Sequence, residues 1–271
     1  MADRVTCTID GGVADVRLNR PEKLNALDLD MFDALVSTGE RLKADRSVRA
    51  VVLSGEGRGF CAGLDVAMFS VLADAAAGGD GSGGRSRDLG RRDGRITNHG
   101  QQAVHVWTEM PAPVIAAVHG VALGGGFQLA IGADLRFVAP DARLSVLEIR
   151  WGLVPDMTGT QMLPRLVGLD VAKELTWTGR MVSGEEAGRI GLATHVTATP
   201  YDDAMALARE VAGKSPHAVR GAKALLNLAG QVSLAEGFAA EYETISGLIG
   251  SPNQRESIAA YLEQRPPVYE D

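Results

Sequence analysis

The chain has 271 residues, 45% of them hydrophobic, which is enough to bury a sizeable core but short for two full domains, so we expect one core with an appendage. Its 34 acidic residues outnumber its 27 basic ones; the net charge of −7 argues against a nucleic-acid-binding protein and suits a small acyl or carbonyl substrate better. No apolar run approaches the roughly 20 residues that span a bilayer, and the first residues lack the apolar segment of a signal peptide, so we expect a cytoplasmic protein without a membrane partner.

Hydrophobic periodicity predicts strands that alternate with helices as far as residue 198. An antiparallel hairpin around Asp10-Gly-Gly12 opens the chain, and Asp28 can cap the first helix, which ends near Asp45. The predicted strands span residues 5–9, 13–18, 48–53, 113–118, 135–138, 144–147 and 193–196. The predicted helices of this core span residues 29–45, 98–109, 159–166, 169–178 and 184–190.

Composition changes between residues 73 and 95, where Gly, Ala, Asp and Arg predominate. Such a segment cannot bury enough apolar area to order itself strongly, so we interpret it as a mobile surface loop. The alternative is a basic rim that contacts the phosphates of a ligand. Its arginines lie at positions 85, 87, 91, 92 and 95.

Two glycine-rich segments follow buried strands. Residues 54–65 form one strand-to-helix turn, and Gly124-Gly-Gly126 forms a second one after the strand at 113–118. The apolar run that begins at Phe127 places these glycines at a helix N-terminus, where N–H groups lack partners and attract negative charge. Such a turn can receive a phosphate or a carbonyl oxygen that acquires charge; the simpler interpretation is a tight turn that needs positive φ.

Four helices are predicted between about 200 and 265. Thr199, Ser215 and Ser251 each place a hydroxyl before a proline at the first helical position, and Ser233 begins a capping box. These helices have little of their own to enclose, so we expect them to pack on the core or on a neighbouring subunit. We therefore divide the chain into a core at 1–198 and a helical oligomerisation region at 199–271.

Glu148 and Asp156 lie eight residues apart on one mostly apolar loop. Two carboxyl groups in an apolar site can act as general base and general acid, and two converging N–H donors make an oxyanion hole. That combination suits proton transfer next to a carbonyl group.

Two other chemistries are weaker. The glycines at 57–63 lack the second strand and the acidic residue of a dinucleotide-binding unit. Nucleophilic catalysis by Cys61 with His119 lacks a hydrolase signature, and small buried cysteines are usually inert packing. Cys7 and Cys61 make no disulfide framework and, like the histidines, show no metal-ligand spacing, so we expect no metal site.

The sequence resembles the crotonase family, the enoyl-CoA hydratase/isomerase superfamily, over nearly all of its length. Four motifs carry the resemblance: Asn19-Arg-Pro-Glu-Lys-Leu-Asn-Ala-Leu27, Gly59-Phe-Cys-Ala-Gly-Leu-Asp65, Pro113-Val-Ile-Ala-Ala-Val-His-Gly-Val-Ala-Leu-Gly-Gly-Gly126 and Leu192-Ala-Thr-His-Val196. The resemblance implies an α/β fold, a spiral of ββα turns with a C-terminal helical trimerisation region. It also implies homotrimers, often paired into hexamers, that act on acyl-CoA thioesters.

By the same resemblance, the two oxyanion donors fall on the backbone N–H groups of Leu64 and Gly125. Coenzyme A enters as part of the substrate, so we expect no separate cofactor. The implied contacts to coenzyme A are made by Lys23, Leu24, Ala26, Ala62, Gly63, Leu64, Asp65, Val66 and Gly125.

The chain departs from the family's hydratases at three positions. Of the two glutamates with which those hydratases hold and activate water, the first falls on Gln128 and the second on Glu148. Asp156 stands where they have a glycine and where the similar dienoyl-CoA isomerases keep a catalytic aspartate, and Leu64 is also closer to the isomerases. Those isomerases have an aspartate at the Gln128 position, however, so neither pattern is complete.

We therefore expect double-bond isomerisation by proton transfer between Glu148, Asp156 and the substrate. An amide at Gln128 can hold water but cannot deprotonate it. Enoyl-CoA hydration is the alternative within the family. A non-catalytic acyl-CoA-binding trimer is the alternative of another class, and the pair of carboxyl groups argues against it.

Overall fold

A computed structural model describes residues 3–68, 89–90, 92 and 94–271. Most of the predicted loop at 73–95 therefore lies outside the described residues. The strands are β1 (Val5–Asp10), β2 (Val13–Leu18), β3 (Ala50–Gly55), β4 (Val114–Val118), β5 (Val121–Leu123), β6 (Leu135–Val138), β7 (Arg143–Ser145), β8 (Val182–Ser183) and β9 (His195–Val196).

Helices in the described ranges alternate with these strands and then continue alone to the C-terminus. They are α1 (Leu29–Ala44), α2 (His99–Thr108), α3 (Gly125–Ile131), α4 (Gly159–Val167), α5 (Leu169–Thr178), α6 (Gly184–Arg189), α7 (Pro200–Ala212), α8 (Pro216–Leu228), α9 (Leu234–Leu248) and α10 (Pro252–Leu262). Short 3₁₀ turns occupy Pro21–Lys23 and Glu148–Trp151. None of the helices in the part of the chain described here is long and apolar enough to cross a membrane.

Two sheets form the frame of the molecule. The larger has the strand order β1-β2-β3-β4-β6-β9, in which the β1–β2 pair is antiparallel and the others are parallel. The smaller has the order β5-β7-β8. β4 and β6 each lead into a short strand of the smaller sheet, and Cys61, which follows β3, pairs with Ala122 at its edge. Successive passes thus repeat the same unit, a long strand followed by a short one.

The central strands β3 and β4 of the larger sheet are buried on both faces. Val51 and Leu53 of β3 point into the main core with α1 and α2, whereas Ala50 and Val52 point to a second core that α7 covers. Because side chains alternate between the faces of a strand, a strand covered on both faces reads as a continuous apolar run. This arrangement explains the unbroken apolar sequences of β3 and β4.

The C-terminal helices divide into covered and uncovered ones. α7 lays the small side chains Ala204, Ala208 and Ala212 on the sheet, and all three are buried. α9 has no buried residue, and its Leu234, Phe238, Tyr242 and Ile245 are exposed. The expectation that these helices pack on the core is thus confirmed for α7, while the apolar face of α9 lacks a cover within the described part of this chain.

Several local predictions were wrong. β3 begins at Ala50 rather than 48, β7 ends at Ser145, and β9 is only two residues long. Neither Thr199 nor Ser215 caps its helix through its side chain, whereas Ser233 and Ser251 do. β5 and β8 went unpredicted, because strands of two or three residues are defined by their partners and not by a repeating pattern.

Candidate active site

A cavity of about 510 Å³ opens between the two glycine-rich turns and the loop after β7. Its walls are mostly apolar, and among its described lining residues only Glu148 and Asp156 are ionisable. An apolar pocket with a few convergent polar groups is the usual form of a small-molecule site. The apolar part of the wall includes Leu27, Phe32, Leu64, Val66, Leu89, Leu147, Trp151, Leu153, Val154 and Met157.

The two glycine-rich turns interlock. A Cβ atom on Gly63 would lie 2.5 Å from the carbonyl oxygen of Leu123, and one on Gly126 would lie 2.3 Å from that of Cys61. Gly63 also has φ near 86°, which L side chains rarely adopt. Glycine at both positions lets the backbones touch, and this contact brings Leu64 and Gly125 to the same cavity.

The backbone N–H groups of Leu64 and Gly125 are available to a ligand. The N–H of Leu27 donates to the carbonyl oxygen of Gly63, and the carbonyl oxygen of Leu27 accepts from the N–H of Asp65. Because successive N–H groups of an extended segment point to opposite sides, the N–H of Leu64 points away from Leu27. Gly125 is the first residue of α3, where an N–H has no intrahelical acceptor. The predicted glycines of the second turn do begin a helix.

Asn25, which the sequence analysis missed, holds the loop next to the cavity. Its side chain accepts from the N–H of Arg20 at 2.8 Å and donates to the carbonyl oxygens of Glu56 and Gly59, both at 2.9 Å. The residue is fully buried and has φ near 56°, a conformation that asparagine tolerates better than most residues. The signal in the sequence that could have indicated this role is a single Asn between the apolar residues Leu24 and Ala26.

Glu148 is the buried carboxyl group of the site, with 9% of its surface exposed. Its Oε1 accepts from the side-chain amide of Gln128 at 2.6 Å, while its Oε2 is buried without a protein partner. Burial raises the pKa of Glu148; the Gln128 hydrogen bond opposes this rise and the charge of Asp156 adds to it. Glu148 can therefore hold or release a proton closer to neutral pH than an ordinary glutamate.

Asp156 stands across the same cavity and is open to it. The surrounding protein still withdraws this carboxyl group from bulk solvent, which raises its pKa. The charge of Asp156 in turn raises the pKa of Glu148. Like charges disfavour having both groups ionised at once.

Gln128 lies behind Glu148 and outside the cavity wall. It is 1% exposed, and its side-chain oxygen accepts from the N–H groups of Met157 at 2.8 Å and Gly159 at 2.9 Å. The sequence analysis expected this amide to be able to hold water beside the substrate. The structure instead uses both of its polar atoms within the protein.

The residues that the resemblance assigns to coenzyme A fall into two groups. Ala62, Gly63, Leu64, Val66 and Gly125 line the cavity. Lys23, Leu24, Ala26 and Asp65 do not line it. They belong to the 3₁₀ turn at Pro21–Lys23 and the adjoining loops, where Leu24 accepts from the N–H of Ala62 and Asp65 is paired with Arg20 at 2.6 Å.

Cys61 is unsuited to nucleophilic catalysis. It is fully buried, burial raises its pKa to about 12, and its thiol donates to the carbonyl oxygen of Asn25. His119 is hydrogen-bonded to the carbonyl oxygen of Gly57 on an exposed part of the surface. Among the described residues no group of three or more His, Cys, Asp or Glu side chains is arranged to hold a metal ion.

The sequence profile of the Enoyl-CoA hydratase/isomerase family matches residues 8–271. The chain belongs to this family. The match covers the glycine-rich turns, Glu148 and Asp156, as well as the C-terminal helices. The family expected from the four sequence motifs is therefore confirmed.

Individual relatives carry the names of different reactions. The chain is 35% identical over 267 residues to human Enoyl-CoA hydratase domain-containing protein 2, covering 96% of this chain and 86% of that protein. It is 33% identical over 263 residues to the peroxisomal Delta(3,5)-Delta(2,4)-dienoyl-CoA isomerase of Arabidopsis thaliana, covering 96% and 93%. Its fold matches the crystal structure of an enoyl-CoA hydratase from Bacillus anthracis with a TM-score of 0.85, at 30% identity and 98% coverage of both chains. The expected crotonase-type α/β fold is thus confirmed.

Proposed function

We propose that this member of the enoyl-CoA hydratase/isomerase family moves a double bond in an acyl-CoA by proton transfer, in the manner of a dienoyl-CoA isomerase. The observation that carries the proposal is the position of three side chains. Glu148 and Asp156 share one apolar cavity, while Gln128, at the place of a hydratase carboxylate, lies outside its wall with both polar atoms bonded within the protein. A proton shift needs two carboxyl groups and no water, which matches this arrangement.

In the proposed reaction the thioester carbonyl oxygen lies between the N–H groups of Leu64 and Gly125. These donors stabilise the negative charge that develops on that oxygen when a proton leaves the α-carbon. One of the two carboxyl groups, in its ionised form, takes this proton. The other, in its protonated form, returns one further along the conjugated chain, so the substrate neither gains nor loses atoms.

The raised pKa values of Glu148 and Asp156 support the assignment of one carboxyl group as the base and the other as the acid. A general acid must keep its proton near neutral pH, and withdrawal of a carboxyl group from bulk water, by burial for Glu148 and by the cavity for Asp156, favours this. Because the two groups interact, ionisation of one favours protonation of the other. The pair can thus exchange the roles of acid and base during a catalytic cycle.

Hydration of a 2-enoyl-CoA is the second candidate, since Glu148 is present and family members carry hydratase names. Hydration requires a water molecule fixed beside the β-carbon by two acceptors, one of which is also its base. The side-chain oxygen of Gln128 already accepts from two backbone N–H groups outside the cavity. This engagement is the reason to rank hydration second.

The ultraviolet absorbance of 2-enoyl-, 3-enoyl- and 3,5-dienoyl-CoA substrates tests the proposal. We expect the wild type to isomerise a 3,5-dienoyl-CoA faster than it hydrates a 2-enoyl-CoA. Asp156→Asn and Glu148→Gln should each lower the isomerisation kcat by roughly 10²–10⁴-fold, as is typical for acid–base groups. Asp141→Asn, an exposed change outside the cavity wall, is the control.

Three outcomes would contradict the proposal. Rapid hydration with an untouched dienoyl-CoA would establish the hydratase instead. A full-rate Asp156→Asn enzyme would show that Asp156 takes no part in proton transfer. Tight acyl-CoA binding without turnover of any of the three substrates would favour a non-catalytic binding protein.

A further inference from the structure

Gln128 connects the two parts of the site that carry the carboxyl groups. Its Nε2 donates to Oε1 of Glu148 at 2.6 Å, and its Oε1 accepts from the N–H groups of Met157 and Gly159. At 1% exposure and outside the cavity wall, it cannot reach a substrate in that cavity. One side chain thus holds Glu148 on one side and the turn that follows Asp156 on the other.

The turn at Met157–Gly159 needs such support. Thr158 has φ near 74°, a left-handed conformation that is strained for a β-branched residue, and its hydroxyl is buried without a partner. The N–H groups on either side of Thr158 converge on the single oxygen of Gln128. A Cβ on residue 159 would lie 2.7 Å from that oxygen, so a larger residue there would displace the side chain of Gln128.

We propose that Gln128 is a positioning residue that fixes the carboxyl group of Glu148 through Oε1, and that fixes the turn presenting Asp156. The Asp156 part of this proposal rests on the proposed isomerase function. The Glu148 part applies to any reaction in which Glu148 is the base.

A neutral amide suits this role better than a carboxylate. A glutamate at position 128 could still accept from Met157 and Gly159, but its other oxygen would face Oε1 of Glu148 at hydrogen-bonding distance. Two carboxylates so placed cannot both ionise, so they would share a proton. The amide donates to the ionised form of Glu148 instead, and this donation opposes the rise in the pKa of Glu148 that burial causes.

The test is the pH profile of kcat/KM for Gln128→Met, measured on whichever acyl-CoA the wild type converts fastest. Loss of the donor should shift the acid limb upward by about one pH unit, because a hydrogen bond to a charged group is lost. The plateau kcat should fall about tenfold, while KM stays within about twofold, since Gln128 does not touch the cavity. Asp156 is the charged neighbour acting on Glu148, and it is unchanged in this variant.

Gln102→Met is a matched control. Gln102 is also 1% exposed, and its amide donates to Glu40 and Glu109 rather than to a group of the cavity. A substitution that only destabilises the fold lowers the fraction of folded enzyme. It should therefore reduce kcat/KM by the same factor at every pH and leave the acid limb where it is in the wild type. If Gln128→Met behaves like this control, or keeps the wild-type acid limb and plateau, the positioning role is wrong.

Gln128→Glu keeps the test decisive should Gln128→Met fail to fold. The shared proton should shift the acid limb upward here as well, and a wild-type limb in this variant would overturn the proposal. Failure of the proposed isomerase function can be distinguished from failure of the positioning role of Gln128. An enzyme that only hydrates would refute that function, while the limb shift would still decide the role of Gln128.

Discussion

At the scale of single residues, the site keeps Glu148 where an ionised group is costly. The carboxyl group is buried, one of its oxygens has no protein partner, and Asp156 adds a like charge nearby. Burial of a charge destabilises the folded state unless partners compensate it. The pKa of Glu148 is accordingly raised, and the group proposed to transfer protons should lower the stability of the fold.

Glu148→Gln should therefore stabilise the protein at neutral pH while it removes activity. The pKa of Glu148 is higher in the folded state than the ordinary glutamate value of about 4.3. The folded protein therefore loses stability as the pH rises from about 4.3 through the raised pKa. The gain from Glu148→Gln should be small near about pH 4 and largest near about pH 8, on the order of 1 kcal/mol per unit of pKa rise. Urea unfolding of both proteins at several pH values measures it.

Asp141→Asn is the control for this experiment, because Asp141 is exposed and does not line the cavity. Its free energy of unfolding should follow that of the wild type across the same pH range. The contrary result is a stability difference between Glu148→Gln and the wild type that becomes less favourable to the variant from about pH 4 to about pH 8. It would show that Glu148 stabilises the fold as a carboxylate.

At the scale of elements, α7 shows how a helix can lie closely on a sheet. Its buried residues Ala204, Ala208 and Ala212 recur every four positions, which places them on one face of the helix. That face meets the apolar side chains Val52 and Ile115 of β3 and β4. Small side chains at the contact leave no room for a larger one.

Ala208→Leu should lower the free energy of unfolding by about 1–3 kcal/mol, because the added carbons would overpack this contact. Ala206→Leu, on the exposed side of the same helix, should change it by less than about 0.5 kcal/mol. Chemical denaturation of the two variants separates packing from helix propensity. Equal effects of the two substitutions would mean that the α7 contact tolerates larger side chains.

At the scale of the whole molecule, α9 exposes an apolar face. Leu234, Phe238 and Tyr242 expose 78%, 63% and 75% of their surfaces on one side of this helix. Such an apolar patch typically marks an interface. We propose that this region joins copies of the chain, as the resemblance to crotonase trimers implies.

Phe238→Arg should convert the assembly to monomers, because a charge in an apolar interface is costly. Glu243→Arg changes the charge on another side of the same exposed helix and should leave the assembly intact. Light scattering at matched protein concentrations compares the two variants with the wild type. A wild-type protein that is a well-folded monomer would contradict the proposal.

Local patterns in the sequence were sufficient for much of the fold. The side chain of Asp28 caps α1 as predicted, the apolar runs before the glycine-rich turns form β3 and β4, and the second turn begins α3. These features depend on residues close together in the chain, where periodicity, capping and turn chemistry operate. The pairing of Glu148 with Asp156 on one loop was visible for the same reason.

The sequence by itself thus determined the family, the order of most elements and the two carboxyl groups, because each of these leaves a local or motif-level pattern. Only the tertiary structure decided what contacts between distant segments control. It showed that Gly63 and Gly126 lock two turns together, and that Gln128 holds both Glu148 and the turn at Met157–Gly159 from outside the cavity wall. A side chain's hydrogen-bond partners 20 to 31 residues away follow from the packing of the elements that carry them, and no local pattern encodes them.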